Sequence, residues 1–119
     1  MNTINLKEKF NLISEHYKPC IIGEVNNCLV KAVMFKGEFL WHHHDREDEL
    51  FLVVKGSFRM KFRDRERLVR EGEFIVVPHG VEHCPVADEE VHVILIEPNS
   101  TLNTGNVTNE RTIAQLERI

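Results

Sequence analysis

The sequence has no long hydrophobic run and no excess of positive charge. Its apolar segments are all shorter than the roughly 20 residues that a membrane-spanning helix needs. The N-terminus carries Asn, Lys and Glu where a secretion signal would have an apolar block. The formal net charge of -4 gives no electrostatic reason to expect nucleic acid or an anionic membrane as a partner. We therefore expect a cytoplasmic protein that binds neither.

Cysteine is scarce. Cys20, Cys28 and Cys84 are an odd number without C-x-x-C spacing, which argues against both a disulfide framework and a thiolate zinc site. Cys84 follows His83 directly, so a role as ligand or redox group is one interpretation. A small buried hydrophobe in a strand is the interpretation we favour. Reduced thiols fit the cytoplasm.

No repeat, low-complexity tract or linker divides the 119 residues, which predicts a single domain over residues 1–119. Hydrophobic residues make up 42% and charged residues 29%, as in globular proteins. Within the domain we expect three parts. They are a helical segment over residues 1–18, a β-barrel over 20–97, and a loop with a short helix over 98–119.

Both ends of the chain have helical patterns. Apolar residues recur at helical spacing over residues 6–13, behind Asn5 as a plausible N-cap. Near the C-terminus, Thr108 or Asn109 is a candidate cap for a short helix that runs to Arg118.

Between these ends, short runs of β-branched and aromatic residues alternate with Gly, Pro and Asn turns, a pattern typical of an all-β sandwich or barrel. The run 50–55 is apolar on both faces of a strand. A second sheet with a terminal segment, or a second subunit, must therefore cover it. The predicted strands span residues 20–25, 29–36, 38–44, 50–55, 57–63, 72–77, 83–86 and 91–97.

Three consecutive histidines, residues 42–44, precede a run of acids. Imidazoles and carboxylates cost free energy when they are buried unpaired, and a metal ion would satisfy them. In a strand, His42 and His44 share a face and His43 points the other way. Glu49 lies at an odd offset from His44, but a bend over residues 45–48 would return it to the interior. Asp48 is the rival ligand if the bend is absent.

His83, just past the turn Pro78-His79-Gly80, can supply a further ligand. Three neutral imidazoles and one carboxylate leave open positions around an octahedral divalent ion, as a catalytic or substrate-binding metal requires. With one carboxylate the occupied site carries about one net positive charge, which favours an anionic or enolate-like ligand. His16, His43 and His92 are interpreted as histidines without a role in the site. His79 is interpreted as an exposed turn histidine, although it is near enough to His83 for a supporting role or for proton transfer.

These residues resemble the two motifs of the cupin family. The first motif is usually G-x5-H-x-H-x3-4-E-x6-G, and the second is G-x5-P-x-G-x2-H-x3-N. The chain departs from them twice: its first spacing is one residue shorter, and Ala87 stands where Asn is expected. The matching segments are Gly37-x4-His42-x-His44-x4-Glu49-x6-Gly56 and Gly72-x5-Pro78-x-Gly80-x2-His83.

The resemblance implies a double-stranded β-helix, also called a jelly roll, which is commonly a homodimer. It also implies a divalent transition metal (Mn, Fe, Co, Ni, Cu or Zn) inside the barrel, bound by His42, His44, Glu49 and His83. The predicted function is a metal-dependent enzyme of the dioxygenase or isomerase type that acts on a small molecule. The alternatives are a cupin that binds a small ligand without catalysis and, last, a metal-free interaction domain.

Overall fold

One short helix and seven antiparallel β-strands form the fold, in a computed structural model that describes all 119 residues. The all-β prediction is confirmed. No helix is long and apolar enough to cross a membrane. The elements are α1 (Leu6–Asn11), β1 (Cys20–Val25), β2 (Cys28–Glu38), β3 (Glu49–Lys55), β4 (Ser57–Phe62), β5 (Glu66–Arg70), β6 (Phe74–Val77) and β7 (His83–Pro98).

The 16-residue strand β7 organises the barrel. It pairs with β2 along one side, from Glu38↔Val86 to Cys28↔Pro98. Along its other side it pairs with β4 through residues 83–86 and with β3 through residues 92–96. One strand therefore takes part in both halves of the barrel, and the remaining order is β1-β2-β7-β3-β6 with β5 beside β4.

Two apolar clusters lie on the two faces of this sheet. The outer cluster packs under α1 around Phe10, Ala32 and Ile94, and the outward residues Leu52 and Val54 of β3 contact it. The N-terminal helix α1 thus covers part of the outer face of β3, the strand that is apolar on both faces. This agrees with the expected arrangement in which a terminal segment helps to cover that strand. The inner cluster comprises Val33, Phe35, Phe51, Val53, Phe58, Met60, Val69, Val77, Ala87, Val91, Val93 and Leu95.

The N-terminal helix begins as predicted. The Asn5 side chain accepts a hydrogen bond of 2.9 Å from the backbone N–H of Glu8, which satisfies one of the free donors of the first turn. The helix ends at Asn11, and its buried Phe10 stacks on the ring of His92 at 4.5 Å. This contact anchors the helix on β7.

The predicted C-terminal helix is wrong, because residues 103–118 form turns and irregular structure. Side chains take the backbone partners that a helix would need: Asn109 Oδ1 accepts from Arg111 N, and Thr112 Oγ1 accepts from Asn109 N. The end of the chain lies beside β1 instead, where Ile119 N donates to Ile21 O at 3.0 Å.

Two strand predictions also need correction. Gly37 does not end a strand: β2 continues to Glu38 through a register shift, and residues 39–48 beyond it are irregular except for one bridge at His42. The two strands predicted over residues 83–86 and 91–97 are one, because Asp88–Glu90 stay extended between them.

Candidate metal centre

Four polar side chains meet inside the barrel. His42 and His44 lie on the irregular segment after β2, Glu49 is the first residue of β3, and His83 is the first residue of β7. Each is at most 4% exposed, and one potential ligand atom from each lies within 4.8 Å of all the others. Buried polar groups need partners, so this cluster requires an account beyond packing.

Glu49 faces the interior because the chain bends at residues 45–46 before β3 begins. Burial then alternates along β3, and Glu49 shares the inward face with Phe51 and Val53. Asp48 takes the opposite direction. It is exposed, and its Oδ1 accepts from both the backbone N–H and the ring of His79, at 2.8 and 2.9 Å. Asp48 is therefore outside the cluster.

Two of the rings are fixed by carbonyls. Nδ1 of His42 is 3.0 Å from Leu40 O, and Nδ1 of His83 is 2.8 Å from Val81 O. Because a carbonyl oxygen can only accept, Nδ1 of each ring is assigned the proton and Nε2 holds the lone pair. The backbones of His42 and His83 also exchange two hydrogen bonds, of 3.1 and 2.9 Å, which holds the two rings side by side.

The nitrogens and the carboxylate converge closely. His83 Nε2 is 3.1 Å and His44 Nε2 is 2.9 Å from the same oxygen, Oε1 of Glu49. A lone pair of His83 facing a carboxylate oxygen is repulsive unless a cation or a second proton lies between them. His44 Nε2 is buried and has no hydrogen-bond partner in suitable geometry. This donor set fits a divalent ion.

The local environment favours the protonation states that bind a metal. Burial, with the neighbouring His83, lowers the pKa of His42 to about 4, so its ring is neutral at pH 7. Burial alone would raise the pKa of Glu49, but the approach of His44 and His83 outweighs it and holds that pKa well below its ordinary value. The set at neutral pH thus includes a neutral imidazole and an ionised carboxylate.

A pocket of about 390 Å³, counted with the space open to solvent, adjoins the cluster. His42 and Glu49 line it on one side, and aromatic rings form much of the rest. Tyr17 stacks between Phe35 and Phe39 at 4.9 and 4.7 Å, and Phe39 meets the His42 ring edge-on at 5.5 Å. The cluster therefore borders a pocket whose walls are largely apolar and aromatic.

Lys31 and Glu97, which were not predicted from the sequence, form a buried pair beside the cluster. Lys31 Nζ is 2.9 Å from Glu97 Oε1, and Glu97 lines the pocket while its Oε2 has no hydrogen-bond partner. Burial and the charge of Glu49 raise the pKa of Glu97 well above its ordinary value. A signal was present: Lys31 falls on the inward phase of β2, in step with Val33.

The other candidates lie outside the cluster. Cys84 is fully buried, and burial raises the pKa of its thiol to about 11, so it is the buried small residue that was favoured. His43 is turned toward Asp45, at 2.9 Å, and its partly exposed ring points away from His42. His16 pairs with Glu90 at the surface.

A barrel of antiparallel strands, with three histidines and one glutamate buried inside that could hold a metal ion, belongs to the double-stranded β-helix class. Residues 32–97 match the Cupin domain, and the chain belongs to this family.

The chain is also similar to individual known proteins, one of which is named for a cupin domain. The chain is similar to a cupin-2 domain containing protein from Shewanella frigidimarina NCIMB 400, with 42% identity, a TM-score of 0.80, and coverage of 82% of this chain and 95% of that one. Protein NMB1881 from Neisseria meningitidis has 33% identity and a TM-score of 0.76, with coverage of 82% and 100%. The uncharacterized protein YdbB from Bacillus subtilis (strain 168) is 36% identical over 80 residues, 66% of this chain and 71% of YdbB.

Proposed function

We propose that the protein binds a divalent transition metal through His42, His44, Glu49 and His83 and acts on a small molecule held in the adjoining pocket. One observation carries the proposal. Four ligand atoms lie within 4.8 Å of one another, and His44 Nε2 is buried with only a 2.9 Å contact to Glu49 Oε1 that lacks hydrogen-bond geometry. A metal ion removes the cost of that unpaired nitrogen and of the repulsion at Glu49.

Imidazole and carboxylate ligands suit manganese, iron, cobalt, nickel, copper and zinc. When bound, such an ion supplies Lewis acidity, and an iron or copper ion also supplies redox chemistry. One carboxylate against a divalent ion leaves about one net positive charge. Anionic small molecules with an oxygen donor are thus the class of substrate that this site favours.

The chain's own residues contribute the remaining functions. Tyr17, Phe35 and Phe39 form an apolar wall that excludes water from the pocket. Glu97 is the only carboxyl group lining the pocket apart from the proposed ligand Glu49, and it is positioned to hold a proton of the bound molecule. The reaction we propose is of the dioxygenase or isomerase type.

A second candidate function is binding of a small ligand without catalysis. The observation that favours it is that two of the loops between strands are short. Only three residues separate β4 from β5, and three separate β5 from β6. These connections offer no long segment that could close over a substrate and exclude water.

Elemental analysis of the purified protein tests metal binding. We expect a near-stoichiometric transition metal in the wild type and its loss in His42→Ala/His44→Ala. The matched control is His43→Ala/His79→Ala, which removes two histidines that lie outside the cluster and should keep the metal. Absence of metal from the wild type, even after reconstitution, contradicts the proposal.

Turnover distinguishes the two candidate functions. Conversion of an oxygen-donor anion by the wild type, lost in a folded His44→Ala variant, supports the enzyme. Saturable binding with the compound recovered unchanged supports the binding protein.

We further propose that the protein is a homodimer through the outer face of β3, β6 and β7. Cross-strand pairs put five apolar residues next to one another on this face. The solvent-facing side of a half-buried sheet would normally carry polar side chains. Phe74 is 61% exposed and Val76 is 47% exposed. A second copy brings the same uncharged patch, so each patch buries the other. The patch comprises Leu50, Leu52, Phe74, Val76 and Ile96.

Sedimentation equilibrium tests the dimer. We expect Val76→Lys to shift the protein to a monomer because it places a charge in the patch. Leu68→Lys is the control, since Leu68 is equally exposed but lies on β5, outside the patch. A monomeric wild type, or a Val76→Lys variant that stays dimeric, contradicts this interface.

A further inference from the structure

The segment that carries His42 and His44 has a strand neighbour on only one side. On that side His42 exchanges two backbone hydrogen bonds with His83, and the carbonyl of His44 accepts from Gly80 N at 2.7 Å. No named strand pairs with its other side, because β2 has already ended at Glu38. A backbone that is free on one side does not by itself fix the direction of two ligand rings.

Asn106 takes the place of the missing strand. The backbone N–H of His43 donates to Asn106 Oδ1 at 2.8 Å, and the backbone N–H of Asn106 donates to His43 O at 3.0 Å. One residue thereby satisfies both backbone groups of His43, as an opposite residue in an antiparallel pair would. Since His43 stands between the two proposed ligands, this pair of bonds fixes the backbone from which both rings project.

Gly105 determines how closely the C-terminal tail, residues 99–119, approaches the ligand segment, residues 42–44. Its φ is +56°, and a Cβ at this position would meet the carbonyl oxygen of His43 at less than contact distance. The same Cβ would lie 3.0 Å from the His43 carbonyl carbon and 3.1 Å from Cδ2 of the His42 ring. A backbone carbonyl has no rotamer with which to move aside, so a side chain here must displace either the tail or the ligand segment.

The tail itself is held firmly at this point. Thr104 is completely buried, and its hydroxyl lies 2.6 Å from both Val107 O and Thr112 Oγ1. Gly105 N donates to Leu102 O at 2.9 Å. The turn is therefore built to press against the ligand segment, and its hydrogen bonds explain why these residues form turns and not a helix.

We propose that Gly105 and Asn106 are positioning residues for the metal centre, which hold His42 and His44 in the geometry that binds the ion. Neither residue belongs to the ligand set, and both lie beyond the end of the Cupin domain match at residue 97. The inference rests on the proposed metal binding.

The first test compares two glycine variants. Gly105→Ala adds a methyl group against His43 and His42, whereas Gly72→Ala adds one at a similar positive φ, +81°, with no atom within 4 Å. Both variants strain the backbone, but only Gly105→Ala should disturb the ligands. We expect the affinity for Co²⁺, measured by competition with a chelator, to fall about 10–100-fold in Gly105→Ala and to stay within about 2-fold in Gly72→Ala.

The second test uses Asn106 and does not depend on whether Gly105→Ala folds. Asn106→Ala removes the acceptor for His43 N, and Asn106→Asp keeps an oxygen in the same place. We expect Asn106→Ala to lose about 10-fold in Co²⁺ affinity, with an altered visible spectrum of the bound ion, and Asn106→Asp to restore both. Thermal unfolding of the metal-free variants measures any change in stability separately.

The outcomes separate this inference from the proposed function. If the wild type binds no Co²⁺, the metal proposal has failed. If the wild type binds it and Asn106→Ala binds equally well with the same spectrum, the metal proposal stands and the positioning role is wrong. Failure of Asn106→Asp to restore an affinity that Asn106→Ala has lost also overturns the role assigned to the acceptor oxygen.

Discussion

Two parts of the interior are equally buried and differ in chemistry. One is the inner apolar cluster, and the other is the polar part, which comprises His42, His44, Glu49 and His83 with the pair Lys31 and Glu97. Val53 and Phe58 in the apolar cluster are at most 2% exposed, and so are His42, His83 and Lys31 in the polar part. Every contact in the apolar cluster favours folding. In the polar part, two buried atoms, His44 Nε2 and Glu97 Oε2, lack hydrogen-bond partners. Unpaired buried polar atoms cost free energy, so the polar part should add less to stability than the apolar cluster, in accord with the proposed role in metal binding.

The largest expected effect comes from the apolar cluster. Phe58→Ala removes a ring that is buried among Phe35 and Phe51, and it leaves a cavity. We expect the free energy of unfolding, from urea titration of the metal-free protein, to fall by about 3–5 kcal/mol. Metal affinity of the folded fraction should not change. A loss of affinity comparable to that of a ligand variant would show that the two parts are not separable.

Lys31→Met tests the boundary between the two parts. Lys31 is the cation beside Glu97, and its removal leaves two neighbouring carboxyl groups without a positive charge. We expect a loss of about 3 kcal/mol at pH 7, since removing one partner of a buried pair is costly. The loss should shrink at pH 5, where Glu97 takes up a proton more easily. Adding Glu97→Gln should recover most of it, and no recovery would contradict the pairing.

The difference between these parts also explains what could be predicted from the sequence. Alternation along strands such as β3 predicted the inward faces, and the spacing of His42, His44, Glu49 and His83 predicted a cluster that the structure does bring together. Both signals are local in sequence. They depend on the two-residue period of a strand and on two short motifs.

The residues that were missed depend on contacts between distant parts of the chain. Lys31 and Glu97 meet only because β2 pairs with β7, and nothing local shows that pairing. Asn106 reaches His43 across 63 positions of sequence. The helix predicted in the C-terminal tail is absent for a physical reason. The Asn and Thr side chains there are good helix caps, but they accept hydrogen bonds from backbone N–H groups of turns instead.

The dependence of stability on pH also distinguishes the polar part of the interior from the apolar cluster. The pKa of His42 falls from its ordinary 6.5 to about 4 on folding, chiefly through burial, so between these values the unfolded chain binds a proton that the folded protein does not. The contribution of His42 is complete above pH 6.5 and is lost as the pH falls to about 4. The raised pKa of Glu97 acts in the opposite direction, so the contribution is isolated by difference.

We therefore compare the metal-free wild type with His42→Gln in urea titrations at pH 7 and pH 4. The stability of the wild type relative to the variant should fall by about 3 kcal/mol over this range, which is the size of the shift in pKa. Parallel curves for the two proteins would mean that His42 is not buried as a neutral ring.

The smallest expected effect on stability is the sharpest test of the comparison. His44→Leu replaces a buried ring that has an unpaired nitrogen with an apolar side chain. The variant loses only the 2.9 Å approach of Nε2 to Glu49 Oε1, which is one of the two contacts that hold the pKa of Glu49 down, so the free energy of unfolding of the metal-free protein should fall by about 1–2 kcal/mol, less than in Phe58→Ala. The same variant should lose its metal, as measured by elemental analysis. A loss of stability as large as that of Phe58→Ala would mean that His44 serves the fold itself, and the distinction between the two parts of the interior would then fail at its central residue.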